Sequence, residues 1–94
     1  MRAVSEDSNP ENVSTQRELV NFLMVDLDLA FTFLQTARLE IEDSPERFRL
    51  AVSKAREALK TIRRFEVRIA DEETRSRIQN RSNQLEAAIA ALTR

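Results

Sequence analysis

No glycine occurs anywhere in this chain, and its only two prolines stand at positions 10 and 45. Tight β-hairpins close through residues that take positive φ, which glycine supplies without steric cost, so a sheet is hard to build here. A phosphate-cradling P-loop and the dinucleotide-binding fingerprint need glycine too. Cys, His, Trp and Tyr are also missing. That removes a thiolate zinc cage, an iron–sulfur cluster, haem ligation by His, disulfides, a Cys nucleophile and a Ser-His-Asp triad. The remaining residue types place no nucleophile beside a base on one face, so neither catalysis nor a metal or cofactor is expected.

With 94 residues, 41% of them apolar and 33% charged, the chain has material for one small core. Fifteen Lys and Arg against 16 Asp and Glu leave a net charge of −1, too little for a global field that draws nucleic acid or an anionic membrane. Residues 1–14 are polar and charged, and they are expected to form a disordered arm before one domain over 15–94. The first ten residues hold no apolar run of the signal-peptide kind, and the absence of cysteine suits a reducing compartment, so a cytoplasmic location is expected. The longest apolar stretch, Leu19 to Leu34, is 16 residues and includes Asn21, Asp26 and Asp28. A membrane span takes about 20 apolar residues, so this stretch is assigned to a core or an interface.

Helical periodicity organises the chain beyond residue 14. Thr15-x-x-Glu18 has capping-box spacing and opens a helix expected over 15–42. Val20, Leu23, Leu27, Ala30, Leu34, Ala37 and Ile41 recur by threes and fours and form its packing seam. Ser44-Pro45-Glu46 stops that helix and starts a second, expected over 45–70, with Ser as cap, Pro at the first position and Glu at the positive end of the dipole. Its seam is Phe48, Val52, Ala55, Leu59, Ile62, Phe65 and Ile69, with Ala51 and Ala58 beside it. A third seam, Ile78, Ser82, Leu85, Ile89 and Leu92, is out of phase with the second, so the chain breaks near Asp71, which can cap a helix over 72–93. With no Gly or Pro there, a kink in one long helix is the alternative. The fold class is all-α: an up-down-up three-helix antiparallel bundle that dimerises into a larger helical bundle.

Val25 to Phe33 alternates with period two, which in isolation signals a strand. The flanking helical phase and the lack of a partner strand override it. On a helix the alternation spreads apolar side chains around the circumference, with Phe22 and Leu29 on one side of the seam and Met24, Phe31 and Phe33 on the other.

Asp26 and Asp28 would suit a cation on a loop, but on a helix they diverge. Glu66, beside the second seam, is expected to turn outward. Ala51-x-x-x-Ala55-x-x-Ala58 resembles the small-residue spacing in the second helix of a tetratricopeptide repeat. The repeat's upstream aromatic and Gly positions have no counterpart, so the resemblance carries no residue roles. Charge is segregated: residues 1–43 hold 9 acids and 3 bases, and residues 44–70 hold 3 acids and 8 bases. Arg49, Arg56, Lys60, Arg63 and Arg64 could thus form a nucleic-acid-binding face on the second helix. The competing use is pairing, through Glu46–Arg49, Glu57–Lys60 and Arg63–Glu66 within the helix and Glu40–Arg47 across the turn.

Twelve of the 16 residues from Leu19 to Leu34 are apolar, whereas the third helix offers only Ile78 as a large apolar residue between Asp71 and Gln84. Two covering helices leave part of the first helix bare. Phe22, Met24, Leu29, Phe31 and Phe33 are therefore the candidate protein interface. The expected function is a small helical interaction or oligomerisation module, an adaptor or regulatory subunit. Its partner is a second copy, packed first helix near first helix, or an amphipathic helix of another protein; nucleic-acid binding is the alternative.

Overall fold

Two short polar caps decide where the chain turns. In a computed structural model, described for residues 13–94, α1 spans Val13–Glu40, α2 Pro45–Glu66 and α3 Glu72–Thr93. Ser44 is in an extended conformation and its hydroxyl accepts from the Arg47 backbone N–H at 3.2 Å, with Pro45 opening α2. Asp71 does the same for α3, accepting from the Thr74 N–H at 2.9 Å and the Thr74 hydroxyl at 2.6 Å. These bonds hold the Asp71 carboxyl below the usual carboxylate range. Neither connection uses a left-handed residue, and no described residue has positive φ. A chain without glycine turns here by capping alone.

Several boundaries differ from those expected. Helix α1 already runs at Val13, so Thr15 lies inside it and not at its cap, and Val13 and Ser14 belong to the helix; the rest of the expected arm, residues 1–12, lies outside the described residues. At its other end α1 stops at Glu40, so Ile41 leaves the seam and is half exposed. Helix α2 stops at Glu66, short of residue 70, where the Arg68 and Ile69 N–H groups bond back to Phe65 and Glu66 in a tightened last turn. Ile69 stays buried although it lies outside the helix. Gln16 of α1 explains how: its side chain donates to the Arg68 carbonyl at 3.0 Å and accepts from the Ala70 N–H at 2.8 Å. Arg75 donates to the Ile69 carbonyl at 2.8 Å and completes the brace.

The described residues contain no strand, and Val25 to Phe33 is helical throughout. Leu23, Leu27, Ala30, Leu34 and Ala37 of α1 are completely buried. They meet Ala51, Val52, Ala55, Ala58 and Ile62 of α2, and Ile78, Leu85 and Ile89 of α3, in one apolar cluster. By length and composition alone, Thr15–Glu40 is also sufficient to cross a membrane, because the helix continues past the 16-residue stretch from Leu19 to Leu34.

The seam sets the stability. Leu27→Asp is expected to abolish the cooperative thermal transition seen by circular dichroism, since it places an unpaired charge at a site with no solvent access. Ala55→Leu is expected to cost about 1–3 kcal/mol in urea unfolding, because α1 and α2 would have to separate to admit it.

Candidate protein-interaction surface

The five residues expected to form an interface divide between two faces of α1. Phe22 and Leu29, 48% and 47% exposed, lie on the side that α3 does not cover. Phe22 meets the ring of Phe65 edge-on, with centroids 6.3 Å apart and planes at 89°. Phe33 is partly buried on this same side, where the Lys54 ammonium stands 5.6 Å from its ring centre. This corrects the grouping of Phe33 with Met24 and Phe31. Eleven positions after Phe22, at 100° each, bring it back to the flank of Phe22. Two adjoining grooves along this face share Phe33 and Lys54 and are lined by α1 and α2 alone.

Met24 and Phe31 look toward α3. Met24 borders a cleft of about 260 Å³ with Val20, Ile78, Arg77 and Arg81, in the stretch where α3 has no other large apolar side chain. Phe31 is partly buried beneath the Arg81 guanidinium, 5.5 Å from its ring centre. The structure adds further exposed apolar residues to the expected set, among them Val25 and Leu50, at 65% and 56%. Val25 falls three residues after Phe22 and four before Leu29, so helical spacing is the sequence signal that marks it.

The two aspartates diverge as the helical geometry requires. Asp28 accepts from Arg81 at 3.1 Å on the α3 side, while Asp26 lines the groove with Leu29 and Phe33. There, partial burial raises the Asp26 carboxyl above its ordinary range. Among the described residues no three His, Cys, Asp or Glu side chains gather where they could hold a metal ion.

Glu66 does not turn outward. It is 4% exposed and anchors a cluster between α2 and α3. The Ser82 hydroxyl lies 2.9 Å from its Oε1 and the Arg63 Nη1 donates to its Oε2 at 3.3 Å. Arg63 also donates to Ser82 at 2.9 Å, Asn83 at 2.9 Å and Glu86 at 2.6 Å. Glu66 turns inward because Ser82 is a small polar residue in an otherwise apolar seam and leaves both room and a donor. Every fully buried side-chain polar atom in the described residues has a partner.

Of the five basic residues considered for nucleic acid, Arg63 is thus held against two carboxylates. Arg49, Arg56, Lys60 and Arg64 remain exposed on α2. Lys60 lies 3.9 Å from Glu57, and Arg64 lies 6.0 Å from the Phe65 ring centre. Glu40 and Arg47 pair across the turn at 3.7 Å, while among the described ion pairs none joins Glu46 to Arg49. Compared with protein-family models, with curated proteins and with solved structures, the chain finds no match in any of the three.

Arg63→Leu is expected to destabilise the fold by about 2–3 kcal/mol, because a buried carboxylate keeps only one partner. The double variant Arg63→Leu/Glu66→Leu is expected to recover most of that loss in urea denaturation. In the single chain, at concentrations low enough to keep it monomeric, Asp26→Asn is expected to stabilise the fold at neutral pH. Its folded-state pKa is raised, so ionised Asp26 disfavours the native state; the advantage of Asn fades as pH falls below that pKa and the wild-type group becomes neutral.

Proposed function

We propose that this chain is a small helical protein–protein interaction or oligomerisation module, an adaptor or regulatory subunit with no catalysis of its own. One observation carries the reading: Phe22, Val25 and Leu29 follow one another along the outer side of α1, each about half exposed or more. At about 25 cal/mol per Å², an apolar patch of ~400 Å² left in water forfeits roughly 10 kcal/mol, comparable to the whole stability of a small domain. Contiguous patches of that kind mark interaction surfaces.

The module is read as an up-down-up bundle. Two contacts support that arrangement: Gln16 near the start of α1 bonds to Ala70 beyond the end of α2, and Glu40 at the end of α1 pairs with Arg47 at the start of α2. The nucleic-acid reading is weaker because Arg63, central to the basic set, already serves two carboxylates. We read α1 as a core helix and not as a membrane span, since its seam packs on α2 and α3 and its exposed side includes Glu18, Asp28 and Gln35.

Light scattering and binding of an exposed-hydrophobe dye at micromolar concentration test the reading together. Expected is a species heavier than 10.9 kDa, or a 10.9 kDa monomer whose dye binding is lost in Leu29→Glu. A monomer that binds no dye overturns it.

A further inference from the structure

The exposed face of the α1/α2 hairpin is electrically two-sided. Helix α1 holds four acids and two bases, while α2 holds seven bases and three acids. Along the face itself, Glu18 of α1 is exposed and forms no ion pair among the described residues, and Asp26 lines the groove that Lys54 also borders without forming an ion pair. On the α2 side, Arg64 and Arg68 are exposed and their guanidinium groups lie by the ring of Phe65, 6.0 and 5.0 Å from its centre. Acids thus edge the apolar strip along α1, while the α2 edge is mostly basic, with Lys54, Arg64 and Arg68 against the one acid Glu57, which pairs with Lys60.

We infer that the occupant of this face is a second copy of the chain, related by a two-fold axis running along the hairpin, so that α1 of each copy packs on α2 of the other. The inference rests on the interaction-module reading and names its partner. Two two-fold arrangements are open to such a face. Stacking α1 on α1 also stacks α2 on α2 and sets each basic helix against its own kind, which like charges disfavour. Stacking α1 on α2 sets acids opposite bases twice over, because a two-fold interface repeats each contact.

The levels match. Phe22 meets Phe65 across the hairpin, and Phe33 meets Lys54. An axis along the hairpin keeps each residue at its height, so Glu18 of one copy comes level with Arg68 of the other, and Asp26 comes within a helical turn of Arg64. Phe22 and Phe65 of both copies gather into one aromatic cluster, with Leu29 packing above Ala58 of the other copy. A partly desolvated Asp26 then gains an ion pair that it does not form within its own chain. The face is of adequate size: 22 residues of α2 at about 1.5 Å each and two helices side by side span roughly 33 by 20 Å, about 660 Å², at the lower end of the ~600–1,000 Å² per partner of stable interfaces.

Sedimentation equilibrium of the full chain and three charge variants tests the arrangement, with circular dichroism confirming that each variant keeps its helix content. The wild type is expected at twice 10.9 kDa. Arg64→Glu/Arg68→Glu and, separately, Glu18→Lys/Asp26→Lys are each expected to weaken the dimer about tenfold or more, since every pair across the axis becomes a repulsion. Combining all four changes restores opposite charges and is expected to restore the dimer. A dimer of Arg64→Glu/Arg68→Glu as tight as the wild type overturns the α1-on-α2 arrangement. A wild-type monomer overturns the second-copy inference; if that monomer binds dye through Leu29, the interaction-module reading survives, and if it binds none, both fall.

Discussion

The close approach of α1 and α2 is the constraint on which the rest of the molecule depends. Leu23, Leu27 and Leu34 reach fully into a surface that α2 makes from Ala51, Ala55 and Ala58. Small side chains let the helix backbones come near, so the large residues of α1 find dispersion contacts on both flanks. Two helices drawn together in this way leave two long grooves, one on each side. Helix α3 fills one of them, and the other is left to Phe22, Leu29, Phe33 and the side chains of α2 that border them.

The position of α3 depends on polar chemistry more than on apolar area. Between Asp71 and Gln84 its only large apolar anchor is Ile78, so packing alone holds that half weakly. Glu66, Ser82 and Arg63 supply the missing definition through directional bonds, with Asn83 and Glu86 holding the guanidinium from the far side. Buried polar groups of this kind fix register at some cost in desolvation. Gln16 performs a related service at the other connection, where it satisfies the backbone of a turn that has no glycine to help it.

Helix number, the Ser44 and Asp71 caps and the α1 seam from Leu23 to Ala37 are legible in the sequence, because three-four periodicity and capping are local effects. The start of α1 is not. A capping box at Thr15 and Glu18 is only a pattern, and the helix runs through it from Val13. The end of α2 is equally hidden, since Ile69 keeps the phase of the seam while the backbone has already left the helix, held by Gln16 from near the start of α1. Most of the candidate face can be read from the helical wheel of α1. Phe33 and Val25 obey the same wheel, but the period-two alternation of Val25 to Phe33 draws attention away from the flank on which each of them falls. The inward turn of Glu66 is beyond local reading, because it is Ser82 on another helix that makes burial tolerable.

The proposed second-copy arrangement requires that the Phe22, Val25 and Leu29 face be covered in solution although the single chain leaves it open. Methyl resonances broadened by a soluble paramagnetic probe report this directly, and the molecule supplies its own references in Leu39 and Val67, exposed by 78% and 66% and not among the residues that line the two grooves. The account predicts that Leu39 and Val67 are strongly broadened while Val25, itself 65% exposed in the single chain, and Leu29 are protected. Broadening of Val25 as strong as that of Val67, at concentrations where the protein is folded, would contradict it.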